Sequence, residues 1–210
     1  MSDVRGPLQD DGAGRAVAAT RPIVAPVTGT CPWAISSPAL LAYHDREWGR
    51  PVRGDARVFE RIVLEGAQAG LSWAIILAKR PAYRRAFADF DPDRVAAFTA
   101  RDERRLLADA GIVRNRAKIR SAIGNARAYL ALKTEVGSIA RYLTGFDDPV
   151  ALSKDLKRRG FTFVGPTICE SVLQALGVID GHVRGCALAR PRPVTARRAT
   201  AASGARRARR

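Results

Sequence analysis

The sequence predicts an all-α fold, and three observations carry the prediction. Apolar residues recur at helical spacing almost throughout residues 31–186, and the segments between these runs are short. No convincing apolar–polar alternation appears beyond one extended piece at FTFV, residues 161–164. With 210 residues and 47% hydrophobic content, the chain can build one packed domain or at most two small ones, which excludes a disordered or collagen-like chain.

Taken in order, residues 1–30 mix Gly, Pro, Ala and Thr without a sustained period and read as a disordered tail. The folded domain is expected over 31–189. Asp55 opens the helical run DARVFERIVLEGAQAG, and Asp91 and Pro92 stand as N-cap and first residue of DPDRVAAF. Thr99 followed by Asp102 is a variant of the capping box. Residues 99–132 hold two helical patterns joined by a tight turn at Gly111. The second carries an apolar stripe of Ile119, Ala122, Ile123, Ala126, Tyr129 and Leu130, with Arg116, Arg120 and Arg127 on another face. Residues 190–210 are rich in Arg, contain no acid and read as a second disordered tail.

Lys and Arg number 36 against 20 acids, a net charge of +16, and 31 of the 36 are Arg, whose planar fork suits phosphate. That balance points to nucleic acid. The first tail is neutral; the rest divides into +8 on the domain and +8 on the Arg-rich tail, which reads as a flexible, salt-sensitive tether. The longest apolar stretch, LSWAIIL at 71–77, is far too short for a membrane span, and the polar opening MSDVRG resembles no leader, so a cytoplasmic protein is expected. Three Cys are too few for a disulfide scaffold; they are free thiols or metal ligands.

The turn at Gly111 has two readings. One is a helix-hairpin-helix element that aims backbone N–H groups at a phosphate, with Arg116, Arg120 and Arg127 beside it as a footprint on the DNA backbone; the other is an ordinary αα-hairpin with a solvated Arg face. Both His lie near a Cys. Cys31 precedes His44 by thirteen residues, and His182 precedes Cys186 by four, a spacing that puts both side chains on one face if the segment is helical. The four residues make either a closed, structural Cys2His2 zinc site or two unrelated pairs. Glu65 shares a helical face with Val58, Ile62 and Ala69, where a charge is costly without a partner or a task. Gly66 and Gly70 allow close approach beside it. Trp73 follows Glu65 within about two turns, and Trp33, Tyr43 and Trp48 are either core anchors or the walls of a slot for a flat, electron-poor heterocycle.

CPWAISSPALLAYHDREWG (31–49), LEGAQAGLSW (64–73), DAGIVRNRAKIRSAIGNARAYL (109–130) and ALSKDLKRRGFTFVGPTICESVLQALGVIDGHVRGC (151–186) closely resemble the 3-methyladenine DNA glycosylase I family, in the same order over nearly all of 31–186. The resemblance implies a helix-hairpin-helix glycosylase fold and a structural zinc ion on Cys31, His44, His182 and Cys186, joining the two ends of the domain. It places the base-recognition carboxylate on Glu65 and the pocket aromatics on Tyr43, Trp48 and Trp73, with Trp33 close by. Gly111, Arg114, Arg116 and Arg120 become the DNA-binding residues. Cys169 falls in the family's TIC sequence, outside the ligand set, and reads as a small core residue. Three features depart from the family pattern: a short connection at 146–151, Glu170 in place of a common Tyr, and Leu40 in place of a frequent aromatic.

The resemblance further implies excision of 3-methyladenine from alkylated double-stranded DNA by a monomer that needs no protein partner. The methylated base is cationic, so its bond to the sugar is already weak; the base is rotated out of the stack into the aromatic pocket, and water attacks C1′. The family lacks the Asp that assists this step in related enzymes, and no Lys is cast as a Schiff-base nucleophile, so strand cleavage is not expected. Two other readings remain: a zinc-stapled DNA-binding module with impaired catalysis, and a glycosylase of different base preference.

Overall fold

The computed structural model describes residues 29–190. Among these the fold is helical: α1 Pro38–Arg46, α2 Asp55–Gln68, α3 Trp73–Ala86, α4 Pro92–Ala96, α5 Ala100–Ala108, α6 Arg116–Val136, α7 Ile139–Thr144, α8 Pro149–Arg158 and α9 Pro166–Ala175, with short 3-10 turns at Ala34–Ser36 and Ala88–Phe90. No helix among the described residues is long and apolar enough to cross a membrane. The two expected tails lie outside the described residues, except that Gly29, Thr30 and Arg190 belong to the described body.

The helix starts follow local chemistry. Ser37, Ser72, Asp91, Thr99, Asn115, Ser138 and Asp148 each accept a first-turn amide, so the orphan donors of seven helices are partly satisfied by their own caps. Thr99 and Asp102 form the reciprocal capping box that their spacing predicts. Asp148 in the short connection is such a cap, accepting from Val150 and Ala151. Asp55 begins α2 as its first acidic residue, after Gly54 at a φ of 83° that favours glycine.

Helix α2 is the centre of the molecule. Every residue from Val58 to Ala67 is buried, because α2 packs against α3, α6, α7 and α9. Three of those residues are ionisable, and two of them are paired. Glu60 accepts from Arg80 Nε at 2.7 Å and from Arg84 Nε at 2.9 Å, while Arg61 donates to Glu47 at 3.0 Å. Glu47 also receives Arg80 Nη1 at 2.8 Å, so α1, α2 and α3 are tied by one buried network. Burial pushes the Glu60 carboxyl up, but the hydrogen bonds from Arg80 and Arg84 outweigh it and hold the group below its ordinary value.

The extended piece expected at 161–164 is not a strand. Its polar backbone is satisfied by side chains: Asn125 brackets Thr162, giving Nδ2–H to its carbonyl at 2.9 Å and taking its amide at 2.8 Å, and Ser153 donates to Val164 O at 2.7 Å. Phe161 and Val164 are core residues, and Phe163 sits at a φ of 54°. The one β-type pairing among the described residues is an isolated bridge between Gly29 and Cys186, which joins the two ends of the body. In α6 the predicted stripe is buried except for Leu130, which is half-buried, and Leu132 takes the core position instead.

The buried pairs and the exposed ones should differ in energy. Arg80→Met leaves Glu60 and Glu47 without their shared partner and should lower the unfolding free energy in urea by about 3–5 kcal/mol. Glu103→Gln, which releases the exposed Arg116 and Arg120, should cost less than about 1 kcal/mol.

Candidate active site

A second, smaller core beside the main one contains Cys31, Ala34, Tyr43, Trp48, Ala175 and Cys186, with Trp33, Trp73 and Leu77 packed against it. It divides into a metal-type cluster and an aromatic cavity, with Trp48 touching both.

Cys31, His44 and Cys186 are buried, with their ligand atoms mutually within 4.8 Å. Cys186 Sγ lies 3.5 Å from His44 Nε2. His182 is next to this trio, its ring centroid 5.2 Å from that of His44. Each imidazole is held by its Nδ1 on a carboxylate, His44 on Asp45 at 2.7 Å and His182 on Asp180 at 2.6 Å. This fixes the rings and leaves both Nε2 atoms for another partner; His182 Nε2 is buried and has none. Burial pushes the Cys31 thiol up, the Val183 amide opposes this, and the neighbouring Cys186 raises it again. Two crowded thiols and two oriented imidazoles are a donor set that suits a soft divalent cation.

His182 and Cys186 lie on the loop after α9 rather than on a helix. The helical spacing argument therefore does not apply to them; the loop reaches the cluster through the Gly29–Cys186 bridge and the Asp180 contact. Gly49 permits this approach, because a Cβ there would meet His182 Cε1 at 2.9 Å and Gly49 adopts a φ of 73°. Cys169 is apart from the cluster. Its buried Sγ contacts Val164 O at 3.4 Å, and burial raises its pKa to about 11, the state of an inert core thiol.

The cavity has a volume of about 230 Å³ and is lined by Trp33, Tyr43, Trp48, Trp73, Glu65 and Gln68, with Ser171 and Gln174 from α9. That is below the 300–1,000 Å³ usual for drug-sized ligands and suits one small planar group. The four aromatics are all in its wall: Trp33 and Trp48 meet edge to face at 5.0 Å, and Tyr43 and Trp73 pack with tilted rings at 5.2 Å. Trp48 also lies flat against His44 at 5.9 Å, so the cluster braces one wall of the cavity.

Glu65 is 6% exposed, and its carboxyl is pushed up to about 7, by burial first and against the pull of Arg61. No hydrogen bond from a described residue offsets that burial. Trp73 has the complementary defect: its indole N–H is buried without an acceptor. An unmet acceptor and an unmet donor in one aromatic cavity are what a hydrogen-bonding ligand would satisfy. Gly66 contributes little, since a Cβ there meets Phe163 at an ordinary 3.5 Å, whereas Gly70 is needed for its φ of 77°. Glu170 lies outside the cavity wall, exposed, and accepts from Gln174 Nε2 at 3.3 Å.

Helices α5 and α6 pack together as the hairpin expected at Gly111. The Gly111 amide turns inward to Asp109 Oδ1 at 2.7 Å, and Val113 N–H goes to Tyr83 at 3.2 Å. Gly111 is a packing glycine, because a Cβ there would come within 2.7 Å of Ala82. In the turn between α5 and α6, the amides of Ala110, Arg114, Arg116 and Ala117 have no acceptor among the described residues. Arg116 and Arg120 are exposed but share Glu103, at 3.3 and 3.0 Å. Arg127 is not part of a hairpin footprint; it donates to Ala96 O and Phe98 O and closes the end of α4.

Residues missed from sequence are Arg61 and Gln68. Arg61 Nη1 reaches the Tyr43 hydroxyl at 3.5 Å and its guanidinium lies 5.2 Å from the Tyr43 ring, so it supports the cavity wall from behind. The signal was an Arg inside the apolar run VFERIVLEG. Gln68 sits one turn beyond Glu65, and its amide donates to Leu71 O at 2.6 Å.

A helical body with a braced aromatic cavity and a lone buried carboxylate has the form of an enzyme that binds a small flat ligand. A family model for methyladenine glycosylase matches residues 33–190. The chain is 45% identical over 176 residues to DNA-3-methyladenine glycosylase 1 of Escherichia coli, covering 74% of this chain and 94% of that protein. It is 38% identical over 180 residues to DNA-3-methyladenine glycosylase of Haemophilus influenzae, covering 76% and 97%. A crystal structure of 3-methyladenine DNA glycosylase I superposes with a TM-score of 0.73 at 41% identity, covering 77% of this chain and all of that one. A variant of such an enzyme in complex with 3-methyladenine gives 0.70 at 35% identity, covering 74% and 95%. The chain belongs to the methyladenine glycosylase family, and as a member it is an enzyme that hydrolyses N-glycosyl bonds.

The lone carboxylate carries a stability cost that can be measured. With its pKa at about 7 rather than the ordinary 4.5, Glu65 holds more protons folded than unfolded between those values, so its contribution to stability is fully present below 4.5 and is lost as pH rises through 7. Glu65→Gln should therefore melt near the parent at pH 4.5 and be more stable at pH 8, by up to roughly 3 kcal/mol in calorimetry.

Proposed function

We propose that the protein excises 3-methyladenine from alkylated double-stranded DNA as a monofunctional glycosylase. The observation that carries this reading is Glu65, a buried carboxylate without a hydrogen-bond donor in an aromatic cavity the size of one small heterocycle. A neutral base would leave it uncompensated. A base made cationic by methylation would supply the missing charge and a donor edge, and the same charge weakens the bond from N9 to the sugar.

In this scheme the nucleotide rotates out of the duplex, a step costing a few kcal/mol and least for a damaged base. Tyr43 and Trp48 stack on it, Trp73 and Trp33 close the slot, and the Trp73 indole N–H gives its unused bond to a ring acceptor. Glu65 takes hydrogen bonds from the adenine edge. Water attacks C1′ as the bond breaks, and the departing base leaves with the electron pair of that bond. Among the described residues no lysine lines the cavity; Lys118, on the N-terminal part of α6, is committed to the carbonyls of Ala67 and Ala69, which supports hydrolysis without strand cutting. The hairpin would meet the DNA backbone through the open amides at Arg114 and Arg116, with Arg120 beside them and Gly111 shaping the turn. The domain spans 31–189, acting as a monomer without a protein partner.

We also assign a structural zinc ion to Cys31, His44, His182 and Cys186. The orphaned Nε2 of His182 and the two oriented imidazoles fit it. Bound there, zinc would supply cohesion alone, clipping the start of the body to its end and holding Trp48 in place.

The protein should release 3-methyladenine from methylated duplex DNA, as read by chromatography of the freed bases. Glu65→Gln should lower that rate by about 10²-fold or more while leaving affinity for undamaged duplex nearly unchanged. Absence of any released base would favour the impaired DNA-binding module, and release mainly of 7-methylguanine would favour a different base preference. For the metal, Cys186→Ser should lose zinc content and thermal stability together; a full zinc complement in that variant would contradict the assignment.

A further inference from the structure

Behind the aromatic cavity, where α1 runs into α2, lies a second cleft of about 340 Å³ walled by Arg46, Arg50, Arg53, Arg57 and Arg61 around a single carboxylate, Glu47. That carboxylate is already committed, to Arg61 at 3.0 Å and to Arg80 at 2.8 and 3.0 Å. Arg46, Arg53 and Arg57 are exposed and have no acidic partner among the described residues. Arg50 is pinned by a bond from Nη2 to Asp45 O at 2.7 Å, so its position is fixed before any ligand arrives. Arg61 is 2% exposed and forms the floor. Arg46, Arg53 and Arg57 therefore line one concavity with no carboxylate to pair them, and the fork geometry of a guanidinium matches a tetrahedral oxyanion.

We propose that this cleft is a binding site for a phosphate group, separate from both the base cavity and the α5–α6 hairpin. Its placement connects it to the first of these. Arg57, Arg61 and Glu65 follow each other at four-residue steps on α2, so Arg57 stands about 12 Å along the helix from Glu65, three to four nucleotide rises. Arg61 reaches the Tyr43 hydroxyl in the wall between the two. The phosphate group has two sources: the backbone of the strand whose base occupies the cavity, or a free phosphate ion. The backbone source rests on the proposed function, whereas the free ion does not.

The test uses the full chain with Arg53→Glu and Arg57→Glu combined, and a control of equal charge change, Arg94→Glu with Arg141→Glu, on exposed positions of α4 and α7. Binding of undamaged duplex is followed by fluorescence anisotropy against salt, and melting is followed with and without inorganic phosphate. A backbone site predicts that the cleft variant loses at least 10-fold more duplex affinity than the control and that its log–log salt slope flattens by about two. A free-ion site predicts equal duplex binding in the two variants and loss, in the cleft variant alone, of the rise in melting temperature that phosphate gives the parent. If the two variants match in both measurements, the site is refuted. Neither readout depends on base release, so failure of the enzymatic reading would leave this result interpretable.

Discussion

A carboxylate buried without a hydrogen-bond donor among the described residues, on a helix that is buried from Val58 to Ala67, sets the terms for the rest of this molecule. Helix α2 carries Glu60, Arg61 and Glu65 into the core. The first two are neutralised by charges from α1 and α3, which makes the bundle around them cohere. The third faces a cavity, feels only the Arg61 guanidinium, and with its pKa at about 7 is poised between its protonated and ionised forms near pH 7. An unpaired group of this kind lowers stability, and it sits among Tyr43, Trp48 and Trp73; in the proposed function the ligand is its partner.

The metal-type cluster serves the same site from the other side. Trp48 lies flat against His44 and edge-on to His182 at 4.6 Å, so whatever fixes the two imidazoles fixes that wall. The Gly29–Cys186 bridge brings the two ends of the body to the cluster, and a small core of six buried residues is completed there. A cavity assembled from α1, α2, α3 and α9 is thereby stiffened on the side of the smaller core. Rigid walls matter for a ligand whose recognition depends on one carboxylate, because misplacing that group by an ångström forfeits most of its advantage.

What the sequence disclosed followed from short-range rules. The caps at Asp91 and Thr99 and the stripe on α6 depend on neighbours within a few residues, and they are where the spacing puts them except at Leu130, whose core place Leu132 takes. Glu65 was legible because one charge interrupts an apolar face. The Glu60–Arg80 and Arg61–Glu47 pairs were not, since their partners lie 20 and 14 residues away and a paired core charge looks like a solvated one in a linear string. Arg127 was misread for the same reason: its acceptors are carbonyls at the end of α4, about 30 residues earlier. His182 and Cys186 were paired by helical geometry, and it is a loop anchored at both ends that brings them together. FTFV has the composition of a strand, and Asn125, Ser121 and Ser153 replace the ladder it would need.

The ionisation state of Glu65 can be read directly. Carboxyl carbon-13 resonances of the glutamates, assigned by comparison with Glu65→Gln, can be followed against pH in the metal-loaded protein. The structure predicts that Glu65 titrates near 7. A midpoint near the ordinary 4.5 would mean that water or a bound donor already satisfies the carboxylate, and it would contradict the claim that the ligand is its missing partner.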